Sequence, residues 1–250
     1  MTTPSRAHSF NAVAAAYAAN RPSYPPALLD AVEELAGRPL AGARVADIGA
    51  GTGMATSLLH ERGARIVAVE PGDGMTEQFR RTLPGVPVVR GDGNSLPLAD
   101  ASADVITYAQ AWHWTDPARS VPEAMRVLRP GGALALWWNV ADRGVGWIAD
   151  QTTRIRRFFG DADIVLGAHG TAGRTRELGG LDSADRTVPW TREVPLDTHL
   201  ANLASHSVFL VAGEKVTREF IDAERAVLKD LFPHGGVREA YVVDLRVALR

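Results

Sequence analysis

The chain has 250 residues, of which 46% are hydrophobic and 22% charged, a balance that excludes a disordered or low-complexity protein. Lys and Arg number 27 against 29 Asp and Glu, for a net charge of −2. No segment gathers basic residues into a phosphate-tracking stripe, so nucleic acid is not an expected partner. The absence of cysteine excludes thiol catalysis, cysteine-ligated zinc, iron–sulfur clusters and a disulfide scaffold. The first twenty residues are alanine-rich without a sustained apolar core, and nowhere do 18 apolar residues run together. The expectation is a soluble, cytoplasmic chain with no membrane partner.

In chain order, Leu28, Leu29, Val32, Leu35 and Ala36 recur at helical spacing and Gly37 supplies a stop, which predicts an amphipathic helix. Five short β-rich runs follow, at 43–49, 65–70, 86–91, 103–109 and 133–140. Helical patterns at 53–62, 73–83 and 117–129 separate them, the last with Thr115 or Asp116 as its cap and Pro117 at its first position. Repeated βαβ units are implied. The strands read as nearly continuous apolar runs, as expected for a parallel sheet covered on both faces, so 40–140 is predicted to be an open doubly wound sheet. Beyond Ala141 the pattern predicts a helix at 145–159, a glycine-rich connection at 167–180 and a strand at 186–194. Helices at 198–211 and 215–232 and a final strand at 239–249 complete the chain. Glu214 and Arg218, at i, i+4 spacing, read as a solvated helix face.

The most informative stretch runs from Val45 to Met54, a strand ending in Gly49, Gly51 and Gly53 and opening a helix. A backbone that turns sharply and lets a ligand come close needs glycine, which accepts positive φ and has no Cβ in the ligand's path. In an open α/β sheet such a loop lies at the carboxyl ends of the strands, where ligands bind. A dinucleotide fingerprint requires a small sixth residue counted from Gly49, and that position is Met54, which argues against a nicotinamide cofactor. The context decides further. Asp47 precedes the glycines, Glu70 closes the second run, and Gly91, Asp92 and Gly93 close the third. The run 102–106 leads into Gln110, Ala111, Trp112, His113 and Trp114, and 126–132 reads Arg-Val-Leu-Arg-Pro-Gly-Gly. In order and spacing these resemble the class I S-adenosylmethionine-dependent methyltransferases, in the small-molecule, methyltransferase type 11-like subgroup. The resemblance extends to the segment around Phe10, Tyr17 and Arg21 to Pro25, and to the last strand around Tyr241 to Asp244.

The resemblance implies a Rossmann-like α/β fold: a doubly wound, mostly parallel seven-stranded sheet whose last strand is antiparallel, with a helical insertion in the C-terminal half. One domain over 1–250 is expected, with 1–39 as an N-terminal helical cover, 40–140 as the cofactor-binding core, and 141–250 as substrate-side insertion and final strands. S-adenosyl-L-methionine is the implied cofactor. Its contacts fall on Gly49, Ala50, Gly51 and Gly53 of the loop, on Glu70 and Pro71, on Asp92 and Gly93, and on Gln110. One carboxylate at Glu70 can accept from both ribose hydroxyls. Asp92 suits the adenine amino group, or it serves only as the turn residue of Gly-Asp-Gly; Gly93 and Asn94 depart from the alanine and glutamate common in the family. Asp47 either holds the loop or approaches the cofactor's ammonium. Tyr17 and Arg21 lie over the methionine carboxylate or belong to a surface helix.

For the transfer itself the chain needs alignment and, at most, one proton removed. No nucleophile motif, no His-Glu-x-x-His and no metal site is evident. His113, between Trp112 and Trp114, reads as a general base with a near-neutral pKa, or as a packed core histidine. Trp112, Trp114 and Trp138 are the candidate substrate wall. Trp137 and Trp138 should point to opposite faces of their strand, so at most one faces the cleft; Trp147 and Trp190 are further candidates for an apolar wall. The expected partner is a small molecule, with the chain a monomer or homodimer. A non-catalytic cofactor-binding protein and, more weakly, a nicotinamide-dependent oxidoreductase are the alternatives.

Overall fold

The computed structural model describes residues 21–160, 178 and 181–250. Tyr17 and nearly all of the glycine-rich connection therefore lie outside the described residues. The elements are α1 (Pro26–Ala36), β1 (Arg44–Ile48), α2 (Met54–Glu61), β2 (Arg65–Glu70), α3 (Asp73–Thr82), β3 (Val88–Arg90) and β4 (Ala103–Ala109). After a 3₁₀ turn at Trp112–Trp114 come α4 (Pro117–Val127), β5 (Leu128–Ala141), α5 (Gly146–Phe159) and β6 (Ser183–Pro195). The chain closes with α6 (Leu196–Ala204), α7 (Ser207–Ala212), α8 (Glu214–Leu231) and β7 (Gly236–Leu249).

All seven strands form one sheet in the order β3-β2-β1-β4-β5-β7-β6. The first five pair in parallel, and β7 runs antiparallel to both β5 and β6. The expected mostly parallel seven-stranded sheet, with its last strand inserted beside the fifth, is the observed one. Sequence order reverses between β1 and β4, so the carboxyl ends of β1, β2 and β4 flank the switch point where such folds bind ligands.

Strand periodicity divides the core into two layers. In β5, Ala133, Ala135 and Trp137 pack on one face with α1 residues Leu28 and Val32 and with Phe79 of α3. Leu134, Leu136 and Trp138 pack on the other, with Tyr108, Trp112 and the α4 residues Ala124 and Val127. Trp137 and Trp138 thus point to opposite faces, as period two requires. Two smaller clusters, one around Ile155, Leu203, Phe209 and Phe220 and one around Leu196, Leu200, Leu228 and Val237, bind α5 to the insertion α6–α8 and the insertion to β7.

Two boundaries differ from the sequence reading. Leu128 leaves the helix for extended backbone (φ −65°, ψ 139°) and pairs with Ala103 before the next pair, Val105 with Ala133. Pro130, Gly131 and Gly132 are therefore an irregularity within β5 rather than the loop before it. The single helix expected at 198–211 is broken. His206 is extended (φ −72°, ψ 147°), and the Ser205 hydroxyl donates to the Asn202 carbonyl at 2.6 Å, a local bond that competes with helix continuation. Among the described residues no helix is long and apolar enough to cross a membrane.

Candidate active site

Each glycine of the loop is left-handed, at φ +67°, +59° and +93° for Gly49, Gly51 and Gly53, but for different local reasons. A Cβ on Gly49 would lie 2.5 Å from the Ala111 Cβ, and one on Gly53 2.7 Å from the Leu83 Cδ1. These two glycines let the loop pack against the chain beyond β4 and against α3. A Cβ on Gly51 would meet nothing within 4 Å. There the backbone turns beside open space, the property a close-lying ligand requires.

Glu70, 7% exposed, holds this turn. One carboxylate oxygen accepts from the Gly51 N–H at 2.9 Å and the other from the Gly72 N–H at 2.8 Å. Burial pushes its pKa up, against the lowering pull of those two bonds and of Arg90. Pro71 follows at the rim, its carbonyl accepting from Arg90 at 2.5 Å. Asp47 lies beneath, fully buried, accepting from the Thr56 hydroxyl at 2.6 Å and the Thr107 hydroxyl at 2.8 Å. Burial raises its pKa from the ordinary 3.8 to about 6, although both hydroxyls oppose that. Its carboxylate ties β1 to α2 and β4.

Beyond β3, Asp92 is exposed and accepts from the Asn94 N–H at 2.6 Å. Gly93 is required by packing: a Cβ there would stand 2.8 Å from Thr115 Cγ2 and 2.9 Å from Tyr108 Cε1. Asn94 accepts from the Asp116 N–H at 2.7 Å, anchoring the start of α4. Both departures from the family's usual residues thus answer to local contacts in this chain. Gln110, just past β4, has φ +57°, uncommon for a residue with a Cβ and a source of local backbone strain. Its N–H donates to the Trp137 carbonyl at 2.9 Å and its amide to the Asn139 carbonyl at 3.1 Å.

Ala50, the three loop glycines, Glu70, Pro71, Asp92, Gly93 and Gln110 thus gather at the carboxyl ends of β1 to β4. Arg21 and Gln110 reach further, into a cavity whose space, open mouth included, is about 980 Å³. Its wall comes from Tyr24 and Met54, from Asn139 and Val140 at the end of β5, from one stripe of α5 (Trp147, Ile148, Gln151, Thr152, Ile155), from α6 and from the start of β7.

Trp112, His113, Trp114 and Trp138 do not line this cavity. Trp112 is fully buried in the core, edge-on to Tyr108 at 4.8 Å. The Trp138 indole donates to His113 Nδ1 at 3.4 Å, and the His113 ring packs at 4.6 Å on Trp114. They belong to the α4 side of the sheet, whereas the cavity-lining Tyr24 packs edge-on to Trp137, 5.9 Å away, on the other side. Of the tryptophans only Trp147 lines the cavity. Trp190 stands behind, stacked on Tyr241 at 5.2 Å and donating to Asn139 Oδ1 at 3.0 Å.

A polar network not anticipated from sequence runs along the inner wall. His199 Nδ1 lies 2.6 Å from Glu239 Oε1, and Glu239 also accepts from Arg192 at 2.5 Å. Burial alone would raise the Glu239 pKa, but His199 and Arg192 hold it below the ordinary value. Gln151 Nε2 stands 2.9 Å from both His199 Nε2 and Glu224 Oε1. Because a carboxylate only accepts, Gln151 Nε2 is the donor to both, which makes His199 Nε2 the acceptor and puts its proton on Nδ1, toward Glu239. Arg154 closes the chain with two bonds to Glu224 at 2.6 and 2.7 Å. Glu239 alone carried a sequence signal: it is an acid in phase with Val237, Tyr241, Val243 and Leu245 on the buried face of an alternating strand. His199, Asn202 and Gln151 lie on helices whose facing partners are distant in sequence. Among the described residues no group of three or more His, Asp and Glu side chains could hold a metal ion.

Comparison with known proteins places this geometry in context. Residues 46–136 match the family model described as "Methyltransferase domain". An uncharacterised methyltransferase of Mycobacterium tuberculosis is 37% identical over 225 residues, covering 88% of this chain and 85% of the relative. An uncharacterised methyltransferase-like protein of Schizosaccharomyces pombe is 32% identical over 161 residues, 62% of this chain and 60% of its own. Among solved structures, a candidate type II methyltransferase from Anaeromyxobacter dehalogenans superposes with a TM-score of 0.69 at 25% identity, covering 92% of this chain and 97% of that one.

Proposed function

We propose that this chain, which belongs to the class I methyltransferase family, takes S-adenosyl-L-methionine as donor and methylates an oxygen, nitrogen or carbon of a small, partly apolar molecule. The observation that carries this reading is the Gly51 turn, with its open flank and its N–H held by Glu70. Ribose hydroxyls can meet Glu70, since each carboxylate oxygen has a second lone pair beyond its backbone bond. Asp92 and Gly93 serve the adenine side; Gly49, Ala50, Gly53 and Pro71 shape the backbone. Gln110 and Arg21, with Tyr17, serve the methionine end, and Asp47 acts from beneath by holding the loop.

Bound, the cofactor supplies an electrophilic methyl group on a sulfonium that departs as a thioether, so this chain must align the acceptor and manage its proton. His199 is suited to the proton. Its Nε2 lone pair lies at the cavity wall, Glu239 fixes its tautomer, and only the Gln151 amide must turn aside. His113, held by Trp138 on the other side of the sheet, is the alternative base, and Trp112 and Trp114 support it there.

Calorimetry with S-adenosylmethionine and with NADH tests the cofactor; binding of the former alone is expected, and tight NADH binding would overturn the assignment. A metabolite screen with labelled methyl donor then names the acceptor. With that acceptor, His199→Asn should lower kcat by about 10²–10⁴-fold, the range for a lost general base, while His113→Asn leaves it in place. The converse result would return the base to His113.

A further inference from the structure

Two buried amide atoms on residues that line the cavity, Asn139 Nδ2 and Asn202 Oδ1, bear on what it can hold. The Asn139 amide is oriented by Trp190: an indole N–H can only donate, so Oδ1 faces it. Asn139 Nδ2 is then a buried donor without an acceptor among the described residues. Asn202, 5% exposed, donates through Nδ2 to the Tyr241 hydroxyl at 3.2 Å. That hydroxyl passes its own proton toward Glu239, whose charge, with burial, holds the Tyr241 pKa up. Asn202, which lines the cavity, thereby commits Nδ2 to Tyr241 and leaves Oδ1 a buried acceptor without a donor among the described residues. Leaving a buried donor and acceptor unmatched is costly, and native structures carry few such groups.

The charges beside them are already matched. Glu239 is paired with Arg192 and bonded to His199, and Glu224 is paired with Arg154. Trp147, Ile148, Ile155, Leu203 and Val140 supply the apolar part of the wall, and Arg21, Gln110 and Arg143 also line it. Against this wall a ligand ammonium would lose its hydration with no unpaired carboxylate among the described residues to meet it, and a carboxylate would have to draw Arg21 from the Ser205 carbonyl or reach out to Arg143.

We infer that the methyl acceptor enters as an uncharged molecule on an apolar frame, presenting an O–H or N–H to Asn202 Oδ1 and a carbonyl-type acceptor to Asn139 Nδ2. This rests on the reading of the cavity as the acceptor side of a methyltransferase. It assigns Asn139 and Asn202 as the residues that set specificity, and it narrows the substrate class to neutral hydroxy- or amino-carbonyl compounds.

The test uses 4-hydroxybenzamide, benzoate and benzylamine as probes, with affinities read by NMR on the full chain saturated with S-adenosylhomocysteine. 4-Hydroxybenzamide should bind at least tenfold more tightly than either ion. Asn202→Leu and Asn139→Asp should each weaken it about tenfold, the loss of one hydrogen bond, while leaving S-adenosylhomocysteine affinity in place. Asn139→Asp keeps the acceptor for Trp190 and so decides the matter if Asn202→Leu fails to fold. Equal binding to both variants, or benzoate bound as tightly as the amide through Arg21 or Arg143, would overturn the inference. Failure of S-adenosylhomocysteine to bind the unaltered chain would instead overturn the cofactor reading.

Discussion

Gly49 and Gly51 show how one motif serves two ends. Both are left-handed, but only Gly49 is hemmed in, by Ala111. Gly49→Ala should therefore cost more stability than the roughly 1–2 kcal/mol of left-handed strain alone, because a 2.5 Å contact must also be relieved. Gly51→Ala should cost about that strain and no more, yet weaken S-adenosylhomocysteine binding, because its methyl enters the space beside the loop. Urea denaturation and calorimetry on the two variants check the contrast. Glu70→Ala removes the acceptor for Gly51 and Gly72 together with the expected ribose partner. Cofactor affinity should fall by about 1.5–3 kcal/mol, the range for hydrogen bonds to a charged group, and an unchanged dissociation constant would remove Glu70 from the site. Gln110 belongs at this scale too, since its positive φ places its amide at the junction of loop and cavity.

At the scale of elements, α5, α6 and α8 are bound to the sheet by apolar clusters and by the polar chain from Arg154 to Glu239. Glu224, 2% exposed, is the joint between α5 and α8. Glu224→Ala leaves Arg154 and Gln151 without their acceptor. The expected cost lies toward the lower end of the roughly 3–5 kcal/mol for breaking a buried pair, because the Arg154 side chain keeps 28% of its surface exposed and can turn to water. A lower urea midpoint at unchanged slope is the expected readout. The strands of the parallel half of the sheet were legible because their apolar runs are local signals. The break at 205–206 was not, because a serine hydroxyl bonding a carbonyl one turn back leaves no mark on apolar spacing.

For the molecule as a whole, two titratable groups, Asp47 and His206, give stability opposite slopes in pH. The folded chain raises Asp47 to about 6, so between its ordinary 3.8 and 6 the native state binds more protons than the unfolded chain. Stability from this group is lost as pH rises through that window. His206 runs the other way. Desolvation, with the Arg21 charge beside it, holds its imidazole well below the usual 6.5. Below 6.5 the unfolded chain gains a proton the folded one refuses, and stability falls as pH falls. Relative to wild type, His206→Gln should gain stability between pH 7.5 and 5, and Asp47→Asn should lose it over the same descent. Chemical denaturation at the two pH values checks both, and parallel behaviour of variants and wild type would show that neither group is shifted.

Local sequence carries what short-range chemistry controls. It set the alternation of strands and helices, the glycine turn at the end of β1, the acid at the end of β2, and the splitting of Trp137 from Trp138 by strand periodicity. Which face of the sheet carries the cavity was decided only by tertiary structure. The Trp112, His113 and Trp114 run looks like a cleft lining because it follows β4, but the 3₁₀ turn buries Trp112 against Tyr108 and ties His113 to Trp138. The inner wall instead forms where β7 inserts between β5 and β6, bringing Glu239 and Tyr241 opposite His199 and Asn202, some forty residues earlier. Pairing over that distance is fixed by sheet register and helix docking, which no local pattern encodes. The network that most closely resembles acid–base machinery is therefore also the part least visible in the chain.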